Sequence, residues 1–197
     1  RPIVEFMTWN FGMQAIDHVI NSAAKTRYMA GGELGSPIVF RGPNGAAARV
    51  GAQHSQCYAA WYMQVPGLKV AMPYSAADAK GLLKTAIRDN NPVIFMESEL
   101  TYGQKGEVRD EEHSVPLGKA RLRSEGSDIT LISWGKQVLE CEKVVEELNR
   151  QGYSVDFLDL RSLRPLDETA IYESVAKTGR CVITHEGHLF AGVGAEI

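Results

Sequence analysis

His54 stands in "RVGAQHSQCYAAW", where a loop rich in small residues gives way to an apolar run. Imidazole titrates close to neutral pH, so such a residue can both hold charge and move a proton. The plain alternative is a polar residue at a helix start. The loop leading to it, "RGPNGAAARVGAQHSQ" (Arg41 to Gln56), is long and rich in Gly and Ala. Small residues let a backbone approach a ligand closely, and a long ordered loop in a compact domain is usually functional. Two other segments share its character: "TWNFG" (Thr8 to Gly12) and "ESELTYG" (Glu97 to Gly103). In the first, Trp9 and Phe11 either pack in the core or offer a flat face to an aromatic ligand. "AIRDNNP" (Ala86 to Pro92) closes a helix with Asp, Asn and Asn. It reads as a plain C-cap, or as a set of helix-end carbonyls turned onto a monovalent cation.

The other chemistry-bearing residues read more simply. His18 falls on the polar side of a helix and His113 in a charged stretch, so both are expected at the surface. His185 and His188, in "THEGH", have a His-x-x-His spacing but not H-E-x-x-H, and no second ligand cluster accompanies them. Cys57, Cys141 and Cys181 are scattered without a C-x-x-C, and are expected as reduced, buried thiols. "AGVGAE" holds a G-x-G but not G-x-G-x-x-G, and neither a P-loop nor G-x-S-x-G occurs.

The elements that must position these residues alternate. "PIVEF" reads as a buried strand. "GMQAIDHVINSAAKTRYMAGG" reads as a helix, with Met13, Ile16, Ile20 and Ala23 on one face and Gly31-Gly32 as its stop. "SPIVFRGPNG" is a strand running into a turn, "SQCYAAWYMQ" a short helix and "GLKVAMP" a strand. "SAADAKGLLKTAIRDN" is an amphipathic helix with Ser75 as N-cap and Asp78 at the capping-box position. "NPVIFME" is a strand. Leu100 to Pro116 is polar and aperiodic. A second alternation follows, in "SDITLIS", "KQVLECEKVVEELNRQG", "YSVDFLDL", "LDETAIYESVAKTG" and "RCVITHE". This pattern predicts two α/β units built on parallel sheets: 1–110, a linker over 111–127, and 128–197. In such sheets ligands bind beyond the carboxyl ends of the strands, where the three loops belong.

Composition limits the partners. With a net charge of −3 over 197 residues, nothing points to a nucleic-acid backbone or an anionic membrane as partner. No apolar run approaches the length of a membrane span. The chain opens on "RPIVEF" without Met or a leader pattern and stops at "GVGAEI" as a helix begins. Both ends read as cut from something longer.

The segments "RPIVEFMTWNFGMQAIDHVINSAAKTRYMAGG", "PIVFRGPNGAAARVGAQHSQCYAAWY", "PGLKVAMP", "DAKGLLKTAIRDNNPVIFME" and "RSLRPLDETAI" closely resemble the β subunits of pyruvate dehydrogenase E1 components. The resemblance spans essentially the whole chain, and "EFMTWNF" and "RGPNG" favour the pyruvate branch over the branched-chain 2-oxoacid one. It implies a transketolase-like pyrimidine-binding domain followed by part of a transketolase C-terminal domain. It implies a bacterial cytoplasmic or mitochondrial matrix enzyme, pyruvate dehydrogenase (acetyl-transferring), working with an E1 α subunit, a second β subunit and the E2 dihydrolipoyl acetyltransferase. The implied cofactor is thiamine diphosphate shared with the α subunit, which also holds Mg²⁺. Carried over by motif, Phe11 packs on the aminopyrimidine and His54 faces the reacting carbon. The carbonyls of Ile38, Ala86, Ile87, Asp89 and Asn91 hold a structural K⁺. The family's catalytic glutamate falls ahead of Arg1, and Glu5 sits in a different motif. This stretch alone is therefore expected to be inactive. The rival readings are a branched-chain 2-oxoacid dehydrogenase β subunit and a non-catalytic module that docks on E2.

Overall fold

A computed structural model describes residues 1–197. The first sheet is built from β1 (Ile3–Glu5), β2 (Val39–Pro43), β3 (Lys69–Ala71) and β4 (Val93–Glu97). Its order is β1-β2-β4-β3, all parallel, with Val39 opposite Ile3 and Val93. Two helices, α2 (Ala59–Met63) and α3 (Ala76–Arg88), supply crossovers. Ser75 caps α3 as expected: its Oγ accepts the Asp78 N–H at 3.1 Å and donates to the Asp78 carboxylate at 2.7 Å.

The second sheet contains β5 (Arg121–Ser124), β6 (Ile129–Ser133), β7 (Val155–Asp159) and β9 (Cys181–Ile183), in the order β5-β7-β6-β9. Helices α4 (Gln137–Arg150) and α5 (Glu168–Thr178) cover it. Gly179, in a left-handed conformation, ends α5. Cys141, Val138 and Val145 of α4 pack on Leu131, Val155 and Phe157. No helix is long and apolar enough to cross a membrane.

Several expectations are corrected. The sheets are mixed: β5 runs antiparallel to β7. The remaining strand, β8 (Ser162–Arg164), leaves the second half of the chain and pairs antiparallel with β3. The stretch 111–127 carries β5. One core accordingly joins Trp9, Tyr62 and Ile94 from the first half to Ile132, Leu163 and Ile171 from the second. β1 is an edge strand, so Ile3 and Val4 are exposed rather than buried. Cys181 is exposed on the other sheet's edge strand, β9.

The first long helix is not regular. It starts as a 3-10 helix over Trp9–Ala15, widens to a π-helix over His18–Ala23, and ends in a single α-turn, α1 (Thr26–Met29). The bond from Ala24 N–H to Val19 C=O, 3.0 Å, belongs to the widened turn. It brings Ala23 and Ala24 together into the core beside Val19.

Candidate active site

The site forms where β1 and β2 end. After β1, Thr8 turns the chain. Its Oγ1 accepts from Asn10 Nδ2 at 2.7 Å and lies 3.5 Å from the Pro43 carbonyl, to which it donates. Trp9 then points inward between Phe6 and Tyr62, with ring centroids 5.0 and 4.9 Å away. Phe11, two residues on, points outward and keeps 39% of its surface exposed. The two aromatics thus divide the two roles open to them: Trp9 is core, Phe11 is free.

After β2 the loop to His54 is closed on itself. Asn44 is buried, and its Oδ1 accepts the Tyr58 N–H at 2.8 Å while its Nδ2 donates to Cys57 Sγ at 3.3 Å. The Gly45 N–H donates to the Gln56 carbonyl at 2.9 Å. Asn10 ties the first loop to the second: its Oδ1 accepts from both Gln56 N–H and Gln56 Nε2, each at 3.3 Å. His54 ends a 3-10 turn over Ala52–His54 and is half-buried. The result brings Phe11 and His54 together, edge to face, with centroids 5.3 Å apart at 84°. An imidazole held beside an exposed aromatic ring can donate to, or take a proton from, a flat ligand stacked on that ring.

The third loop is locked differently. Glu97 takes a two-pronged bond from Arg41, at 2.6 and 2.7 Å, and a third from the Tyr102 hydroxyl at 2.7 Å. Arg41 also pairs with Glu5 at 2.7 Å, which places Glu5 in a structural ion pair. A cleft of about 530 Å³ lies beside Glu97 and Lys80, but neither Phe11 nor His54 lines it. Of the pair, Phe11 is exposed and His54 half-buried.

Of the five residues proposed for a cation, Ala86, Ile87, Asp89 and Asn91 lie at and just past the C-terminal end of α3, and Ile38 directly precedes β2. The carbonyls of Ile87 and Asp89 accept from Arg1 Nη1 at 3.2 and 2.5 Å, so both already face a positive group. The Ala86 carbonyl takes the Asp89 N–H at 3.2 Å, and the Ile38 carbonyl takes the Val93 N–H at 2.9 Å. Each of those oxygens keeps a second lone pair. The Asn91 N–H and side chain both bond the Asp89 carboxylate, at 2.8 and 2.9 Å, while Lys69 forms an ion pair with it. Burial pushes the Asp89 carboxyl up, but the bonds from Lys69 and Asn91 outweigh it and hold it below the usual range.

The remaining histidines separate from the site. His18 is exposed. His113 is half-buried rather than exposed, packed over Gly81 of α3, where an added Cβ would meet its ring at 2.9 Å. His188 is exposed, and His185 stacks on Trp134 with centroids 5.0 Å apart. Burial lowers the His185 pKa. The residues that hold the loop, Asn10, Asn44, Gln56 and Glu186, carry no spacing signal of their own. Asn44 lies in the turn "GPNG", whose chemistry hides its second task.

Comparison with known proteins matches residues 1–105 to the family described as transketolase, pyrimidine binding domain, and residues 118–197 to transketolase, C-terminal domain. The whole chain is 61% identical to a pyruvate dehydrogenase E1 component subunit beta of Rhizobium meliloti, of which it covers 43%. It is 58% identical to a mitochondrial subunit beta-1 of rice, covering 54%, and 53% identical to the mitochondrial subunit of Dictyostelium discoideum, covering 56%. The chain spans about half the length of these curated relatives. In fold it is similar to a solved split-gene transketolase, an inactive beta4 tetramer, with a TM-score of 0.81 at 21% identity, over 98% of this chain and 59% of that one.

Proposed function

The chain belongs to the family of transketolase pyrimidine-binding domains, with a transketolase C-terminal domain behind it, and from that premise we propose that it forms part of the β subunit of a pyruvate dehydrogenase E1 component. In this reading the assembled enzyme decarboxylates pyruvate oxidatively and acetylates the lipoyl group of an E2 dihydrolipoyl acetyltransferase. It works as a heteromer with an E1 α subunit and a second β subunit, in a bacterial cytoplasm or a mitochondrial matrix. The observation that carries the reading is the meeting of Phe11 and His54 at the carboxyl ends of two parallel strands.

The residues present fit one end of thiamine diphosphate. An exposed phenyl ring beside a half-buried imidazole suits a flat heteroaromatic ring such as its aminopyrimidine. When bound, that cofactor supplies the carbon nucleophile for a 2-oxoacid and accommodates the electron pair that decarboxylation releases. Phe11 packs on the ring and fixes its angle. His54 faces the reacting end, where its imidazole donates to the substrate carboxylate or moves a proton. The diphosphate and Mg²⁺ are assigned to the α subunit. The carbonyls of Ile38, Ala86, Ile87, Asp89 and Asn91 are assigned to a structural K⁺. The Arg1 guanidinium on two of those carbonyls supports a cation preference there.

The test is decarboxylation of pyruvate by the full-length subunit mixed with its α partner, thiamine diphosphate, Mg²⁺ and K⁺. Turnover of pyruvate supports the reading. Turnover of a branched-chain 2-oxoacid instead would keep cofactor and fold and change the substrate.

A further inference from the structure

The second half of the chain reaches the His54 loop through Glu186. This residue lies just past β9, and its Oε2 accepts the Ala46 N–H at 3.1 Å. The same oxygen lies 3.3 Å from Lys136 Nζ, at the entry to α4. Both side chains are largely withdrawn from water, with 11% and 19% of their surface exposed. The carboxylate therefore engages a backbone amide and an ammonium through a single oxygen, in a setting where such contacts are strong.

The surroundings are built for this contact. Gly45 has φ +83°, and a Cβ there would sit 2.2 Å from the Glu186 carboxylate. Only glycine satisfies both the backbone angle and the space. The Glu186 backbone is held from behind. Thr184 accepts from Ser133 Oγ at 2.9 Å, His185 stacks on Trp134, and His185 Nδ1 accepts the Gly187 N–H at 3.1 Å. On the loop side, Ala46 directly follows Asn44 and Gly45. These two carry the bonds to Tyr58 and to the Gln56 carbonyl. Gln56 lies two residues after His54. A shift at Ala46 therefore passes through two hydrogen-bonded links to the segment that carries the imidazole.

We propose that Glu186, seated by Lys136, is a positioning residue: it holds the His54 loop in its working shape and makes that shape depend on the second half of the chain. The proposal rests on the reading of His54 as catalytic, and its test separates the two.

The experiment uses the full-length subunit with its α partner, as wild type, Glu186→Gln and Glu186→Ala. Loop closure is read without catalysis, by amide exchange of residues 44–56 and by tryptic cleavage after the exposed Arg49. Gln keeps an oxygen where Oε2 stands, so exchange, cleavage and turnover stay within about threefold of wild type. Ala removes the acceptor, so exchange and cleavage rise about tenfold or more, and kcat falls by a similar factor with a smaller change in KM. Lys136→Ala withdraws the ammonium that seats the carboxylate while leaving Glu186 and Gly45 in place, and gives a smaller loosening in the same direction even if Glu186→Ala does not fold. Exchange and cleavage unchanged in Glu186→Ala would overturn the attachment. A loosened loop with full turnover would overturn the positioning role. A wild type inactive on any 2-oxoacid would overturn the catalytic reading alone, with exchange and cleavage still deciding the attachment.

Discussion

Phe11 and His54 meet edge to face, 5.3 Å between centroids, although they belong to loops that follow different strands. Neither loop fixes this meeting alone. Asn10, beside Phe11, holds Gln56, two residues from His54, so the aromatic ring and the imidazole are set by one shared bracket.

His54→Ala in the assembled enzyme should lower kcat about 100-fold or more, the usual contribution of a general acid or base. Its melting temperature should barely change, because the ring is half-buried and the loop is held by its neighbours. Phe11→Ala should raise the thiamine diphosphate concentration needed for half-maximal turnover about tenfold, while Phe11→Tyr stays close to wild type. Steady-state kinetics and a thermal melt decide both. Full activity in His54→Ala would return that histidine to the role of a polar helix-start residue.

Asn44→Ala should destabilise the fold by about 2 kcal/mol in urea denaturation, since it strands the buried Tyr58 N–H without an acceptor. Asn44→Asp keeps an acceptor for Tyr58 but turns the Cys57 contact into a second acceptor, and should fall between the two. Equal stability of Ala and wild type would show that the Tyr58 amide finds another partner.

Asp159 predicts a pH effect. Burial pushes its carboxyl up to about 7, against the opposing pull of Arg123, and Asp78 adds to the rise. The folded pKa lies above the unfolded one, so the folded state binds the proton more tightly. The stabilisation is complete below about pH 4 and is lost as pH rises through about 7. Asp159→Asn keeps an acceptor for the Arg161 N–H, now at 3.2 Å from Oδ1, and carries no proton to lose. It should flatten the fall in stability between those limits. Denaturant melts at pH 5 and pH 8 check it: an unchanged slope between them would rule Asp159 out as the source.

Potassium should stabilise the protein against heat relative to choline at equal ionic strength. At about 100 times its dissociation constant the gain is about 2.7 kcal/mol. Arg1→Ala frees the carbonyls of Ile87 and Asp89 from the guanidinium, so it should strengthen the response. Indistinguishable melts in the two salts would remove the cation from those carbonyls.

The strands and helices that bury a continuous apolar run were legible in the sequence. "NPVIFME" and "YSVDFLDL" emerge as β4 and β7 because their own residues demand burial. β5 and β8 were not legible. "RLRS" and "SLR" are short and charged, and they become strands only because β7 and β3 offer them an edge. The same division holds at the site. His54 and Phe11 announce themselves by type and by loop context. Glu186 does not, because its partner at Ala46 is a backbone amide, which every residue but proline carries. Ion pairs such as Arg123 with Glu142 likewise join residues that no local spacing relates.

The antiparallel pairing of β8 with β3 has a consequence for synthesis. Val70 leaves the ribosome long before its partner Arg164. Throughout that interval the nascent first sheet carries an open strand edge, able to recruit any passing extended chain. The arriving "SLR" segment covers the β3 side of that sheet, so β3 is shielded only when the second half is made, while β1 stays the opposite edge. A ribosome stalled before residue 162 should therefore display a nascent chain that chaperones bind more strongly than one stalled well beyond 164.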